Sequence, residues 1–348
     1  MRTPINMLRL ASLVTVVVLG AACQGAPAAA PTSPPAATPT TAAAKPATSP
    51  VASPVATSSP SPLASPAAAA ASPKPATSPA ASPAASPAAA AASPSAVGGR
   101  IVTFETRDYS FTLPDTLTAG LVTLEMRNTG AEPHHAQLLK LASGVTLDQF
   151  MAALQQGEGP ALALVSLTGG TGVLDPGPLV EDVTINLEAG NYVVVCLVAG
   201  PDGVPHVAKG MVKPLTVTAA TPGQPSEQPT SAVTITLRDF SFESPDTLPG
   251  GRTTWRLTNA GPQPHELQVA RLRSGGSAND ILQFFTTPPS GPPSFQSVGG
   301  FQGVAQNLSG FLTLSLTAGD YAFYCAIPDP TNGKRHLEEG MLKQVTIR

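Results

Sequence analysis

The sequence is poor in charged residues, aromatic residues and cysteine. Of 348 residues, 12% are charged and 5% are aromatic, and there are three cysteines and a net charge of −3. A nucleic-acid-binding protein would carry a clustered basic face, so this composition excludes that class. Three cysteines are also too few for the disulfide framework that stabilises small secreted domains.

Proline, in contrast, is abundant and unevenly distributed. Seventeen of the 39 prolines lie between Cys23 and Val97, in a stretch of Ala, Pro, Ser and Thr that has two charges and no aromatic residue. Such a stretch cannot bury enough apolar surface to offset the entropy of ordering the chain. Residues 23–97 are therefore predicted to form a disordered tether.

The first 22 residues have the organisation of an export signal. Arg2 and Arg9 precede an uncharged run, Leu10–Ala22, that is too short to span a bilayer but suits a secretory signal. The segment Leu19–Cys23 resembles the lipobox of bacterial lipoproteins, although its leucine lies four places before the cysteine and not three. The resemblance implies that Cys23 is lipidated and anchors the protein on the extracytoplasmic side of the membrane. Ordinary cleavage, which would give a secreted protein, is the alternative.

The rest of the chain contains an internal repeat. At an offset of 131 residues, Phe111 matches Phe242, Asn128 matches Asn259, and so on through the following turn. Two domains of ordinary size are therefore predicted, here named module 1 and module 2. The predicted division is a signal peptide at 1–22, the tether at 23–97, module 1 at 98–218, a linker at 219–230 and module 2 at 231–348.

Each module is predicted to consist of strands with one short helix. Apolar and polar residues alternate in Leu121–Arg127 and Val183–Leu187, which predicts half-buried strands, and Tyr192–Val198 has the composition of a strand buried on both faces. Helical spacing in Thr146–Gln155, with Thr146 as N-cap, and in the equivalent Ser277–Phe285 predicts a short helical insertion. The predicted fold class is all-β, with two tandem Greek-key β-sandwiches.

Each module also offers two histidines, one cysteine and one methionine at related spacings. A histidine begins one strand, and a cysteine, a second histidine and a methionine share a later loop, as Cys-x9-His-x4-Met or Cys-x10-His-x4-Met. Two imidazoles, a thiolate and a weak axial thioether are the ligands of a blue-copper site. For the cysteines alone, burial as a small hydrophobe or a bridge between modules are alternatives. The two sets are His134, Cys196, His206 and Met211, and His265, Cys325, His336 and Met341.

Both modules resemble cupredoxins, the plastocyanin and azurin type of blue-copper protein. The motifs that carry the resemblance are Asn128–His134 and Tyr192–Met211, with Asn259–His265 and Tyr321–Met341 in the second copy. The resemblance implies a cupredoxin-like sandwich with one copper ion per module, held by the four side chains named above. Groups from the Asn128 and Asn259 turns are expected to orient the first histidine. The gap between cysteine and second histidine is longer than in that family, but turn-forming residues fill it.

A copper site with four protein ligands has no open position for a substrate, so the expected role is electron transfer and not enzymatic catalysis. The further copper centres of an oxidase need several imidazoles, and only one of the five histidines remains. We expect a membrane-tethered copper protein that passes single electrons between extracytoplasmic redox proteins. Copper capture or delivery with copper-handling proteins, or a metal-free binding or adhesion module, are the alternatives.

Several other polar residues are assigned no ligand role. His135 follows a candidate ligand, but the second copy has Glu266 at this position, so His135 is predicted to be exposed. Asp108 and its counterpart Asp239, each preceded by arginine, are predicted to be surface or edge-strand charges.

Overall fold

The computed structural model describes residues 99–224, 226–287 and 291–348, about half of which lie in β-strands. The predicted export signal, lipidation site and tether lie outside the described residues. Within the described part of the chain, no helix is long and apolar enough to cross a membrane.

Module 1 is a β-sandwich whose helices lie in a single connection. Its strands are β1 (Arg100–Arg107), β2 (Ser110–Phe111), β3 (Thr116–Thr118), β4 (Gly120–Asn128), β5 (His134–Leu141), β6 (Val165–Leu174), β7 (Val180–Leu187), β8 (Gly190–Val195) and β9 (Val212–Thr218). Two helices, α1 (Leu147–Gln156) and α2 (Glu158–Leu162), connect β5 to β6. The predicted N-cap of α1 is confirmed, because the Thr146 hydroxyl accepts the amide of Gln149 at 3.2 Å. The second short helix was not predicted.

Module 2 repeats this order of elements with one helix in the connection. Its elements are β10 (Val233–Arg238), β11 (Ser241–Glu243), β12 (Thr247–Leu248), β13 (Gly251–Asn259), β14 (His265–Leu272), α3 (Ala278–Thr286), β15 (Phe295–Val304), β16 (Ser309–Leu316), β17 (Gly319–Tyr324) and β18 (Leu342–Ile347). The predicted strands and the helical insertion of each copy are present, with their ends shifted by a few residues.

The two modules share both sheets of the sandwich. One sheet has eight strands in the order β11-β10-β13-β16-β7-β4-β1-β2, and the other has ten in the order β12-β18-β17-β14-β15-β6-β5-β8-β9-β3. Antiparallel pairing of β7 with β16 and of β6 with β15 joins the modules. The all-β sandwich prediction is confirmed, whereas this edge-to-edge joining was not predicted.

Glycines allow β6 and β15 to approach closely where the modules join. A Cβ atom at Gly172 of β6 would lie 2.3 Å from the amide nitrogen of Gly300 in β15. Because the clash is with backbone, no side-chain rotation could remove it. The amides of both glycines donate to the same oxygen of Glu181, at 3.0 Å and 2.6 Å. The joint is therefore a close backbone contact with a buried carboxyl group behind it.

Polar side chains also cross the joint. The Gln137 side-chain amide of module 1 donates to the Gly303 carbonyl at 3.0 Å, and the Val173 amide donates to the Gln268 side chain at 2.9 Å. One continuous apolar core containing residues of both modules lies between the sheets. Each module thus satisfies buried polar groups of the other, which favours one fixed arrangement of the pair.

Candidate metal centres

In module 1, the predicted ligands meet at one end of the sandwich. His134 is the first residue of β5, Cys196 follows β8, and His206 begins a 3-10 turn before β9. The Nδ1 atoms of the two histidines are 3.0 Å apart, and the Cys196 Sγ atom lies 4.0 Å from Nδ1 of His134 and 3.5 Å from Nδ1 of His206. All three side chains are fully buried. This cluster is named site 1.

Module 2 contains the same arrangement, named site 2. The Nδ1 atoms of His265 and His336 are 3.1 Å apart, and Cys325 Sγ lies 3.4 Å from Nδ1 of His336. These three side chains are also fully buried, and their ligand atoms form a second His/Cys/His group suited to a metal ion. Both cysteines are free thiols, so the alternative of a bridge between the modules is wrong.

The backbone of each predicted methionine is hydrogen-bonded to the cysteine and the second histidine of its group. Met211 and Met341 are fully buried. The Met211 amide donates to the His206 carbonyl at 2.9 Å, and the Met211 carbonyl accepts the Cys196 amide at 3.2 Å. The same two bonds hold Met341. Gly210 precedes Met211 with φ of 102°, a left-handed conformation that favours glycine and turns the chain back after the histidine.

The long loops between cysteine and second histidine close on themselves. In module 1, the His206 amide donates to the Val198 carbonyl at 2.9 Å, and Ala199 pairs with Pro205 in an isolated bridge. In module 2, the His336 amide donates to Ile327 at 2.9 Å. The extra residues therefore form a small hairpin that leaves the two ends together, as the turn-forming composition predicted.

An aspartate binds the outer nitrogen of each first histidine. Asp108 Oδ1 accepts the Nε2 proton of His134 at 2.9 Å, and Asp239 Oδ1 accepts that of His265 at 2.7 Å. Asp108 is exposed, as predicted, and Asp239 is half-buried, but the prediction that they are surface charges without a place in a site was wrong. Desolvation raises the pKa of Asp108, but hydrogen bonds from His134 and from two backbone amides outweigh it, so the net shift is downward. Asp108 and Asp239 match each other at the repeat offset of 131 residues, and this recurrence in the sequence could have indicated a role in the sites.

The first glycine of each turn leaves room for this contact. A Cβ atom at Gly130 would lie 2.5 Å from Asp108 Oδ1 and 2.9 Å from His134 Nε2, and at Gly261 the corresponding distances are 2.5 Å and 2.7 Å. A side chain at either position would therefore displace the aspartate from the imidazole.

The second histidines have different acceptors in the two sites. His206 Nε2 donates to Glu132 Oε2 at 2.8 Å, whereas His336 Nε2 donates to Gln263 Oε1 at 2.9 Å. Because every Nε2 atom has an acceptor, the protons of the neutral imidazoles lie on Nε2. The Nδ1 lone pairs of each site then face one another and the cysteine sulfur.

This donor set fits a bound metal ion. Unprotonated nitrogens about 3 Å apart repel each other unless a cation lies between them. A metal bound in a trigonal plane at about 2.0 Å to nitrogen and 2.3 Å to sulfur would separate the nitrogens by about 3.5 Å and sulfur from nitrogen by about 3.8 Å. The observed separations of 3.0 Å, 3.5 Å and 4.0 Å in site 1 are close to these values.

Burial sets the protonation of the metal-free sites. Desolvation lowers the pKa of His134 and His265, and lowers the pKa of His336 to about 4. Burial also raises the pKa of Cys196 to about 12 and shifts that of Cys325 well upward. The imidazoles of His134, His265 and His336 are therefore available as ligands at neutral pH, while each thiol needs the charge of a metal to become a thiolate.

The asparagines hold the turns and do not bind the first histidines. The Asn128 side-chain amide donates to the carbonyls of Glu132 and Leu174, each at 2.8 Å, and its oxygen accepts the Gly130 amide at 2.9 Å. Asn259 makes the equivalent three bonds. The expected orienting role thus belongs to the aspartates, while Asn128 fixes the turn that carries Glu132.

His135 is buried, which contradicts the prediction that it is exposed. Its Nε2 atom accepts the amide of Leu197, the residue after the cysteine, at 3.0 Å. Glu266 accepts the equivalent amide of Ala326 at 2.8 Å. Histidine and glutamate share this role because each presents one acceptor to the cysteine loop. Burial lowers the pKa of His135 to about 3, so the ring is a neutral acceptor.

Comparison with known proteins finds no matching family model and no matching curated protein. Among solved structures, the chain is similar to a reduced auracyanin of Roseiflexus castenholzii (22% identity, 35% of this chain and 99% of that one, TM-score 0.25). It is similar to auracyanin A of Chloroflexus aurantiacus, a blue copper protein (24%, 34% and 99%, TM-score 0.23), and to a copper nitrite reductase of Nitrosomonas europaea (12%, 71% and 93%, TM-score 0.20). These TM-scores are low, and it is the donor geometry of sites 1 and 2 that fits a copper ion.

Proposed function

We propose that the protein is an extracytoplasmic electron carrier that binds one copper ion in each module and is held at the membrane through Cys23. The observation that carries the proposal is the convergence of two buried imidazole nitrogens and one thiol, twice in the chain, each beside a buried methionine. Bound copper would supply a one-electron redox couple.

Each residue of a site has a distinct role in holding the metal or in orienting its ligands. In site 1, His134, Cys196 and His206 would hold the metal, with the Met211 thioether as a weaker fourth donor. Asp108 and Glu132 fix the tautomer and orientation of the two rings. Full burial of the ligands excludes water and limits rearrangement between oxidation states, which suits rapid electron exchange. Site 2 has the equivalent residues His265, Cys325, His336 and Met341.

Burial of the ligands favours electron transfer over the alternatives. Copper delivery requires a route by which the metal leaves, and all eight proposed ligand side chains are fully buried. A metal-free adhesion module would not need four histidines with their Nδ1 atoms facing one another. An additional catalytic copper centre would need free imidazoles, but the fifth histidine is used to bind the cysteine loop.

The test is copper binding by the whole mature protein and by three cysteine variants. We expect two copper ions per chain and an intense blue colour, because thiolate-to-Cu(II) charge transfer reports the Cys–metal bond. Cys196→Ser should remove about half of the colour and Cys325→Ser about the other half, since each thiolate belongs to a separate site. Cys23→Ser is the matched control and should leave the colour unchanged.

Each alternative has its own result. A colourless protein without bound metal would support the metal-free module and overturn the proposal. Tight binding of Cu(I) with no colour on oxidation would support copper capture or delivery.

The lipid anchor has a separate test. Cys23→Ser removes the sulfur that would carry lipid, so we expect the variant to move from the membrane fraction to the soluble fraction while it keeps both copper sites. Immunoblotting of fractionated cells measures this. If the variant stays with the membrane to the same extent as the unchanged protein, the anchor proposal is wrong.

A further inference from the structure

Because the chain has two sites with the same proposed ligands, the effect of the surrounding residues on each site can be compared within one protein. Sites 1 and 2 have the same ligands, and the first histidine of each donates to an aspartate. The second histidine does not have equal partners, because His206 donates to the carboxylate of Glu132 and His336 to the neutral amide of Gln263.

The sites also differ at the cysteine loop, where Glu266 replaces His135. Behind Gln263 lies the buried Asp329, which accepts its side-chain amide at 3.4 Å, so the effect of Glu132 is isolated by substitution within one site.

The aromatic ring beside the second histidine also differs between the sites. Tyr109 packs edge-on against the His206 ring, with centroids 5.1 Å apart, and its hydroxyl donates to Glu132 Oε1 at 2.8 Å. At the equivalent position, Phe240 packs against His336 at 5.3 Å and has no hydroxyl. Both oxygens of Glu132 thus accept hydrogen bonds, as those of an ionised carboxylate do.

The aromatic rings are held in place at a cost in backbone strain. Tyr109 has φ of 100° and Phe240 has φ of 61°, which are rare values for aromatic residues. Strain of this kind persists where the surrounding structure enforces it, commonly at functional sites. The contact between the aromatic ring and the second histidine is therefore common to both sites. The acceptor of the histidine Nε2 proton, Glu132 or Gln263, differs between them.

A hydrogen bond to a carboxylate makes an imidazole a stronger electron donor than a bond to an amide does. Stronger donation favours Cu(II) over Cu(I) and lowers the reduction potential. The Glu132 side chain is only 19% exposed, so water screens its charge weakly. Lys209 acts in the opposite sense, but its ammonium group bonds the Tyr109 hydroxyl and pairs with Asp202 at 2.8 Å, which offsets its charge.

We propose that Glu132 makes site 1 the lower-potential copper site, so that electron transfer between the two sites is favourable in the direction from site 1 to site 2. The inference rests on the proposed function. In each transfer, copper in site 1 is oxidised from Cu(I) to Cu(II) while copper in site 2 is reduced from Cu(II) to Cu(I). One electron moves, and no bond is formed or broken. An external one-electron donor then reduces site 1, and an acceptor oxidises site 2.

The shared sheet provides the connection between the sites. The strands that carry the first histidines, β5 and β14, are separated in the ten-stranded sheet only by β6 and β15. Three strand spacings amount to about 14 Å across the sheet. Because β5 and β14 run antiparallel, the row of His134 meets β15 at Val298 and the row of His265 meets it at Val304, which adds about 20 Å along the strands. His134 pairs with Leu174, which pairs with Val298, so a continuous hydrogen-bonded ladder leads from site 1 into module 2.

The test measures the reduction potential of each site by following its blue colour during a redox titration. Cys325→Ser isolates site 1 and Cys196→Ser isolates site 2. Adding Glu132→Gln to the first background should raise the potential of site 1, with a decrease of about tenfold in the Cu(II)/Cu(I) ratio at fixed applied potential, which is about 59 mV for a one-electron couple. Adding Gln263→Glu to the second background should change site 2 by a similar amount in the opposite direction.

Glu188→Gln is the matched control, because it removes the same charge from an exposed carboxylate that pairs with Lys140. It should leave both potentials unchanged. Equal potentials in the two sites, or a shift with Glu132→Gln no larger than with Glu188→Gln, would overturn the inference while the protein remains blue. If Glu132→Gln fails to fold, the reduction potential of site 2 in the Gln263→Glu variant, which is expected to fall, tests the inference by itself. Absence of copper would instead overturn the proposed function, so the two failures are distinguishable.

Discussion

Gly172→Ala is expected to destabilise the protein by about 3 kcal/mol or more, at the upper end of the cost of overpacking a core. The new Cβ atom would lie 2.3 Å from the Gly300 nitrogen and 2.4 Å from its Cα atom. Both are backbone atoms, so no side chain can rotate away, and β6 and β15 must separate. Separation would also break the bonds from both glycine amides to Glu181.

Urea unfolding followed by circular dichroism measures this effect. Gly159→Ala is the matched control, because a Cβ atom at Gly159 meets nothing within 4 Å and its φ is not left-handed. We expect Gly159→Ala to leave the free energy of unfolding within about 0.5 kcal/mol of the unchanged protein. If Gly172→Ala were equally mild, the close contact between the two strands would not exist in solution.

Local sequence patterns predicted the strands and singled out the histidines and cysteines that the fold brings together, because both depend on short stretches of sequence. Alternation in Leu121–Arg127 and the capping residue Thr146 correspond directly to β4 and the start of α1. The Cys-x9-His-x4-Met spacing also survives as a local structure, since the loop after Cys196 closes through its own backbone bonds. Such features depend on neighbours in sequence and can be inferred from one chain.

The joint between the modules depends on contacts that no short stretch reveals. The glycines of β6 would ordinarily argue against a strand, because glycine is depleted in sheets. Their reason lies in β15, more than a hundred residues later, where the backbone of Gly300 occupies the space that a side chain would need. His135 and Asp108 were misjudged for the same reason, since their partners become adjacent only when the sandwich forms.

Glu181→Gln is expected to abolish a large pH dependence of stability. Glu181 is fully buried at the joint; one oxygen accepts two backbone amides, and the other has no hydrogen-bond partner among the described residues. Desolvation raises its pKa to about 8, the two amides lower it only in part, and neighbouring Asp182 adds to the increase. The folded protein therefore holds this proton at pH values where the unfolded chain has lost it.

The sign of the effect follows from proton linkage. Below the unfolded pKa of about 4.3 the carboxyl group is protonated in both states, and its contribution to stability is complete. As the pH rises toward about 8, only the unfolded chain ionises, so stability falls. The loss is on the order of a few kcal/mol. Above that pH both states are ionised and the contribution stays constant.

The measurement is the free energy of unfolding between pH 5 and 8 for both proteins in the same copper state. Glutamine keeps an acceptor for the Gly172 and Gly300 amides but carries no charge, so the variant should gain stability relative to the unchanged protein as the pH rises. Glu188→Gln is the control, because Glu188 is exposed and its pKa is lowered by Lys140, outside this range. If the difference between the unchanged protein and Glu181→Gln were independent of pH, Glu181 would be ionised in the folded state, and the joint would tolerate a buried negative charge between the two modules.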